Sequence, residues 1–238
     1  MRPIGFSTGA LALSDFARAL EMLRDAPVSA VELSALRAGE LPTLVARVDT
    51  LDLSRYRFVS VHAPSRFAGD EEPGIVEQLR GFTARGWPVV LHPDAIHDAA
   101  RWRPFGPLLL VENMDKRKPL GRTAAELRRV FDQLPEAALC FDIAHARQCD
   151  GTMTEAYRIL TAFGDRLRQV HVSEVTTRSG HDRISPYSLR AFQQVASLIP
   201  DDIPIIIESR IPPEGIRAEI DQALLALTPP AVAARASA

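Results

Sequence analysis

Eight short apolar runs, none longer than seven residues, recur along the chain, and helix-patterned segments separate them. They are PIGFS (3–7), AVELS (30–34), FVSVHA (58–63), PVVLH (88–92), LLLVEN (108–113), LCFDIAH (139–145), QVHVSE (169–174) and PIIIES (204–209). Each is rich in Val, Ile or Leu at successive positions, as expected of a strand buried on both faces rather than one with a wet face. The intervening segments are amphipathic. SDFARALEMLRDA (14–26) starts on Ser14 as a candidate N-cap, and GIVEQLRGFTARG (74–86) closes on a C-cap glycine. TAAELRRVFDQLP (123–135) opens with the Thr123/Glu126 capping-box pattern, and TEAYRILTAFGDRL (154–167) and SPYSLRAFQQVASL (185–198) complete the set. AIHDAARWRPF, after the fourth run, has room for only a turn or two of helix. Eight alternations predict an α/β fold, a single (β/α)8 TIM barrel, with a doubly wound open sheet as the rival topology. No linker or composition break divides the 238 residues. One domain is expected over 1–227, followed by a frayed, flexible tail over 228–238.

A polar residue closes run after run: Glu32, His62, His92, Glu112, Asp142, His171 and Glu208. In a barrel these positions meet at the C-terminal mouth, where such folds carry their chemistry. Side-chain parity agrees, since Val90 and His92, Leu110 and Glu112, and Ile206 and Glu208 share faces. So many acids and imidazoles gathered in one place would repel one another or strand buried charge, and a divalent cation removes that conflict. Glu32 is the weakest member, because the second run can simply end on a polar cap. His145, in DIAH, and His181, in TTRSGHDR, lie just beyond strand ends, whereas His97 is expected to face solvent. Arg147, Arg178, Arg183 and Arg210 follow the last three runs. Guanidinium forks bind phosphate or carboxylate bidentately, so Arg178, Arg183 and Arg210 are candidates for gripping an anionic substrate.

Composition removes several chemistries. The net charge is −2, so no global basic field recruits nucleic acid or an anionic membrane. There are 26 Arg but only two Lys, and Lys116 and Lys118 fall in a loop, so a Schiff-base lysine on a strand is not available. GFSTG (5–9) fits the GxSxG pattern, but only four residues precede it, too few for an earlier strand to build an oxyanion loop. Cys140 and Cys149 make no disulfide framework, and Cys140 is expected to pack in the core. No signal sequence or long apolar span is seen, and a cytoplasmic location is expected.

In this order, VSVHAP, VVLHPD, LLLVENMD, CFDIAHA, QVHVSE and IIIESR resemble the xylose-isomerase-like TIM barrel superfamily. That superfamily includes sugar phosphate isomerases and epimerases and the endonuclease IV group of DNA-repair enzymes. The DxxH of DIAH and the EN of VENM are its most specific pieces. The epimerase branch implies one Mn, Mg or Co ion held by Glu112, Asp142, His171 and Glu208. Glu112 and Glu208 would also move a proton through a metal-stabilised enediolate, while His145 orients a substrate hydroxyl. The endonuclease IV branch implies a zinc cluster, with His62 and His92 on the first ion, Glu112 bridging, and His145 and His181 on the third. Where that branch has an aspartate this chain has Ser179, so the third site is one ligand short, although Asp182 is nearby. Long basic loops for gripping a duplex are missing too. The expected function is therefore metal-dependent isomerisation or epimerisation of a small sugar or sugar-derived carbonyl compound. The alternatives are metal-dependent hydrolysis of a phosphoester, on abasic nucleic acid or a small molecule, and a non-catalytic barrel used for binding. The expected partner is a small-molecule substrate, with nucleic acid less favoured, no membrane, and homo-oligomerisation open.

Overall fold

The computed structural model describes residues 2–13 and 15–230. The expected cap at Ser14 and the end of the tail, 231–238, lie outside the described residues. Strands β1 (Ile4–Ser7), β2 (Ala30–Ser34), β3 (Phe58–His62), β4 (Val89–Leu91), β5 (Leu109–Glu112), β6 (Ala138–Asp142) and β7 (Leu167–Val172) match the first seven apolar runs. A two-residue antiparallel ribbon follows, β8 (Glu174–Val175) against β9 (His181–Asp182), and β10 (Ile205–Ile207) is the eighth barrel strand. The barrel closes in the order β1-β10-β7-β6-β5-β4-β3-β2, parallel at every pairing. The closed ring rules out the open-sheet alternative.

Helices α1 (Thr8–Ala12), α2 (Phe16–Met22), α3 (Leu41–Arg47), α4 (Glu72–Thr83) and α5 (Ala99–Trp102) serve the first half. Helices α6 (Ala124–Gln133), α7 (Ile143–Cys149), α8 (Thr154–Phe163), α9 (Pro186–Phe192) and α10 (Ile216–Ala226) serve the second. The expected short fourth crossover is α5, a single turn. α1, α3, α7 and α10 lie outside the segments that periodicity marks as helical. α3 and α7 have only seven residues each, and α7 starts inside the apolar run LCFDIAH. Thr123 caps α6 by accepting from the Glu126 N–H at 3.2 Å, as expected, but the Glu126 carboxylate turns to Arg122 instead of completing the box. Among the described residues, no helix is long and apolar enough to cross a membrane.

Two shells of side chains hold the barrel. Phe6, Val31, Leu33, Val61, Leu91, Val111, Phe141, Val172 and Ile207 point outward from the strands, fully buried against the helices. Inside the ring, Val90, Leu110, Ala138 and Cys140 make a small separate cluster. Cys140 is thus core, and burial pushes its thiol up, away from reactivity. On one side of the ring β1 and β2 approach closely, because Gly5 has no side chain: a Cβ there would overlap the Ala30 carbonyl. Gly5→Ala is expected to wedge β1 from β2 and cost about 3 kcal/mol or more. Denaturant titration measures this directly, and an unchanged midpoint would contradict the close approach.

Candidate metal centre

The local fold at the end of β6 answers why an apolar run ends in D-x-x-H. Asp142 is the last strand residue and also the N-cap of α7, accepting from the His145 N–H at 2.7 Å. The chain turns there from strand to helix, which brings the imidazole of His145 back over the mouth. Asn113 fixes the same corner from β5. Its amide donates to the Asp142 carbonyl and accepts from the Asp142 N–H, both at 2.8 Å, extending the β5–β6 pairing by one side-chain rung. The Asn113 carbonyl accepts from His145 Nδ1 at 3.0 Å, leaving Nε2 as the free ring nitrogen. The E-N and D-x-x-H motifs therefore form one hydrogen-bonded unit.

Glu112 sits at the centre of the mouth, 1% exposed, and its two oxygens face different groups. Oε2 lies 3.2 Å from His62 Nε2 and 3.2 Å from His92 Nε2. Oε1 lies 3.3 Å from His171 Nδ1 and 3.3 Å from His145 Nδ1. His62 donates through Nδ1 to the Ala63 carbonyl at 2.7 Å, which leaves Nε2 as its ligand atom. His171 Nδ1 is also 3.6 Å from Glu208 Oε1, and His181 Nδ1 is 3.5 Å from Glu208 Oε2. His181 reaches this place because the β8–β9 ribbon folds its loop back over the barrel, where Ser173 Oγ meets Nδ1 at 2.8 Å. Two ligand groups result. Glu112, Asp142, His171 and Glu208 have ligand atoms within 4.8 Å of one another, as do His62, His92 and Glu112, and Glu112 belongs to both. His97 lies outside, exposed, with Nε2 on the Phe67 carbonyl at 2.9 Å.

Acids and imidazoles in the cluster shift one another strongly. Burial pushes the Glu112 carboxyl up, but His171, His145 and His62 outweigh it and hold it well below the usual range. Burial, with Glu112 and Glu208 adding to it against His145, pushes Asp142 up to about 6. Burial likewise raises Glu208. For the imidazoles, burial opposes the charge and the surrounding acids win at His62, raised to about 9, and at His145, raised to about 10. His171 is raised well above its ordinary value by the same balance. Burial dominates at His92, which is lowered, and at His181, lowered to about 4 with His145 adding to it. Without a metal the acids are compensated by protonated imidazoles. A divalent ion would replace those protons with its own charge. Asp142 Oδ2 is fully buried yet has no hydrogen-bond partner, an orphan that a cation would satisfy. Three carboxylates with one imidazole, beside two further imidazoles, form a donor set suited to Mn, Mg, Co or Zn. The cluster could hold a metal.

The mouth opens into a cavity of about 250 Å³ lined by His62, His92, Glu112, His145, His181, Glu208 and several basic side chains. Of the three arginines expected to grip substrate, Arg210 lines it, whereas Arg178 and Arg183 do not. Arg178 is exposed and offers its backbone carbonyl to Arg117 at 2.7 Å, and the Arg183 guanidinium lies against Gly215 at the start of α10. Arg147 is a structural bracket, bonded to Glu174 at 2.9 Å and Ser188 at 2.8 Å. Two cations not expected from the sequence line the cavity, Arg117 and Lys118. Asp94 holds Lys118 at 2.9 Å, with Nζ 3.4 Å from His92 Nδ1. Ser179 bonds Asp115 at 3.0 Å, and Asp182 is exposed. Glu32, the weakest expected ligand, does not line the cavity. It is fully buried behind His171.

Comparison with family models and with curated proteins finds no match. Comparison with solved structures finds the same fold. Endonuclease IV from Thermus thermophilus superposes with a TM-score of 0.61 at 18% identity, over 94% of this chain and 98% of that one. A xylose isomerase domain protein from Alicyclobacillus acidocaldarius gives 0.60 at 13% identity, over 95% and 99%. A xylose isomerase-like TIM barrel protein from Mycobacterium smegmatis, solved in complex with magnesium, gives 0.56 at 12% identity, over 96% and 98%. At these identities the likeness establishes the fold, the barrel expected from the sequence motifs.

Proposed function

We propose that this chain is a metal-dependent phosphoester hydrolase acting on a small substrate, in which His62 and His92 would hold one divalent ion and Asp142, His171 and Glu208 another, Glu112 being common to both groups. The observation that carries this is the division of Glu112: Oε2 is directed at His62 and His92, Oε1 at His171 and His145. A glutamate with both oxygens committed has none left to shuttle a substrate proton, as an isomerase would require of it. The preference is the reverse of the order reached from the sequence. When bound, divalent ions supply the charge that stabilises a phosphoryl group under attack and that acidifies water. The chain's own residues do the rest. Arg210, at the cavity rim and exposed, offers its fork to phosphate oxygens, with Lys118 deeper in. Glu208, 12% exposed, faces the cavity with its imidazole neighbours no nearer than 3.5 Å, a looser hold than the 3.2–3.3 Å contacts of Glu112, and burial raises its carboxyl, so it can take or return a proton there. The cavity volume of about 250 Å³ and the net charge of −2 favour a small molecule over a duplex.

Isomerisation or epimerisation of a small sugar-derived carbonyl compound is the second reading, favoured by that same proton-holding position of Glu208. Two assays on zinc- or manganese-loaded protein separate the readings. Release of nitrophenol from bis(p-nitrophenyl) phosphate supports hydrolysis. Deuterium entering C–H positions of a ketose–aldose panel in D2O, without nitrophenol release, overturns it. Arg210→Ala is expected to raise KM for the phosphoester about tenfold or more, the worth of one charged hydrogen bond. Metal content should not change, and an unaltered KM would remove Arg210 from the substrate.

A further inference from the structure

We infer that Glu32, buried on β2 beneath the mouth, is a positioning residue: it takes the Nε2 hydrogen of His171 and so reserves Nδ1 as the ligand atom. The inference rests on the reading that Glu112, Asp142, His171 and Glu208 hold a cation. His171 is fully buried, and its two ring nitrogens face opposite ways. Nδ1 points at Glu112 Oε1, 3.3 Å away, and at Glu208 Oε1, 3.6 Å away. Nε2 points at Glu32 Oε2, 3.1 Å away. A neutral imidazole has one N–H and one lone pair, so the group that takes the hydrogen decides which nitrogen can ligate.

Three donors converge on that one oxygen. Gln169 Nε2 gives to Glu32 Oε2 at 2.7 Å, and Ser60 Oγ gives at 3.2 Å. Gln169 Nε2 and His171 Nε2 consequently lie only 2.7 Å from each other. Gln169 could donate to a bare His171 Nε2, but that tautomer would turn the Nε2 lone pair toward the Glu32 carboxylate 3.1 Å away, whereas a hydrogen on Nε2 gives the carboxylate a donor. Neither Glu32 nor its hydrogen-bond partners Ser60, Gln169 and His171 touch the cavity, so Glu32 can act on the mouth only through His171 and the Glu112 and Glu208 it faces. A fully buried carboxylate is costly even with polar partners, and no packing need is served by its charge there. A leucine or glutamine would fill the same space. The charge is explained if its task is to orient and strengthen His171 as a ligand.

Two measurements test this. The first is the 15N spectrum of the imidazoles in wild-type protein loaded with Zn. It should show His171 protonated on Nε2, with Nδ1 bound; His171→Gln supplies the assignment. The second is the Zn dissociation constant of Glu32→Gln by chelator competition, expected to be about 10–100-fold weaker than wild type. Phe131→Leu, in the helix layer away from the mouth, shows how far lost stability alone moves the affinity, and no change is expected from it. A wild-type His171 with its hydrogen on Nδ1, accepting from Gln169 through Nε2, overturns the inference even if Glu32→Gln does not fold. So does a Glu32→Gln protein that binds within about twofold of wild type, a change well below the expected range. In either case the metal centre itself stands. A wild-type protein that takes up no zinc overturns both.

Discussion

Glu112→Gln protein is expected to lose metal at both ligand groups together. Glu112 is the one residue common to the two, and the amide that replaces it carries no charge to share between cations. Altering a partner that merely orients a ligand costs about 10–100-fold in affinity, and removing a shared ligand should cost more than that. The loss also reaches the metal-free fold. Glu112 is the acid that His62, His145 and His171 surround, so its replacement leaves buried imidazoles without their counter-charge. Breaking a buried pair from one side costs about 3–5 kcal/mol. Elemental analysis after dialysis, with a denaturation curve on the same sample, reads both effects. Full metal retention by the variant would show that Glu112 does not bridge.

Stripping the metal from wild-type protein is expected to lower Tm by about 5–10 °C. An ion present at a hundred times its Kd stabilises by about 2.7 kcal/mol, and each kcal/mol moves Tm by roughly 2–4 °C at this size. The ligands belong to β3, the start of the loop after β4, β5, β6, β7 and the segment after β10, so a cation ties together most of the ring at its open end. Without it the buried acids have only the surrounding imidazoles to offset them, and the ring loses its tie. Calorimetry with and without chelator measures the shift, and adding back zinc or manganese should restore it. A Tm indifferent to both treatments would mean that the folded cluster binds no ion under those conditions.

The barrel was legible in the sequence because its strands are buried on both faces, which writes each as an unbroken apolar run. The clustering of Glu112, Asp142, His171 and Glu208 was legible because parity and strand ends put them on one face at one height. Height is also where the reading stopped. Glu32 has a ligand's spacing from His62, thirty residues, but the register pairs Glu32 with Ser60 and Ser34 with His62. Glu32 therefore sits two residues lower in the ring, behind the ligands rather than among them. Loop lengths between strands differ, so counting residues cannot reveal that stagger. Asn113 was visible as part of a motif, but its task depends on the β5–β6 register, which only the fold supplies. The arginines show the same limit for loops. Arg178, Arg183 and Arg210 all follow late strands, and local backbone turns decide which of them face the cavity. His181 owes its place to a ribbon of two residues a side, too short to leave a periodic trace.

Diffraction from zinc-loaded crystals at the metal's absorption edge tests the shared role of Glu112 most directly. The account predicts two anomalous peaks, one beside each carboxylate oxygen of Glu112, with His62 and His92 on one and Asp142, His171 and Glu208 on the other. A single peak that leaves His62 and His92 without metal, or no peak at all, would contradict it.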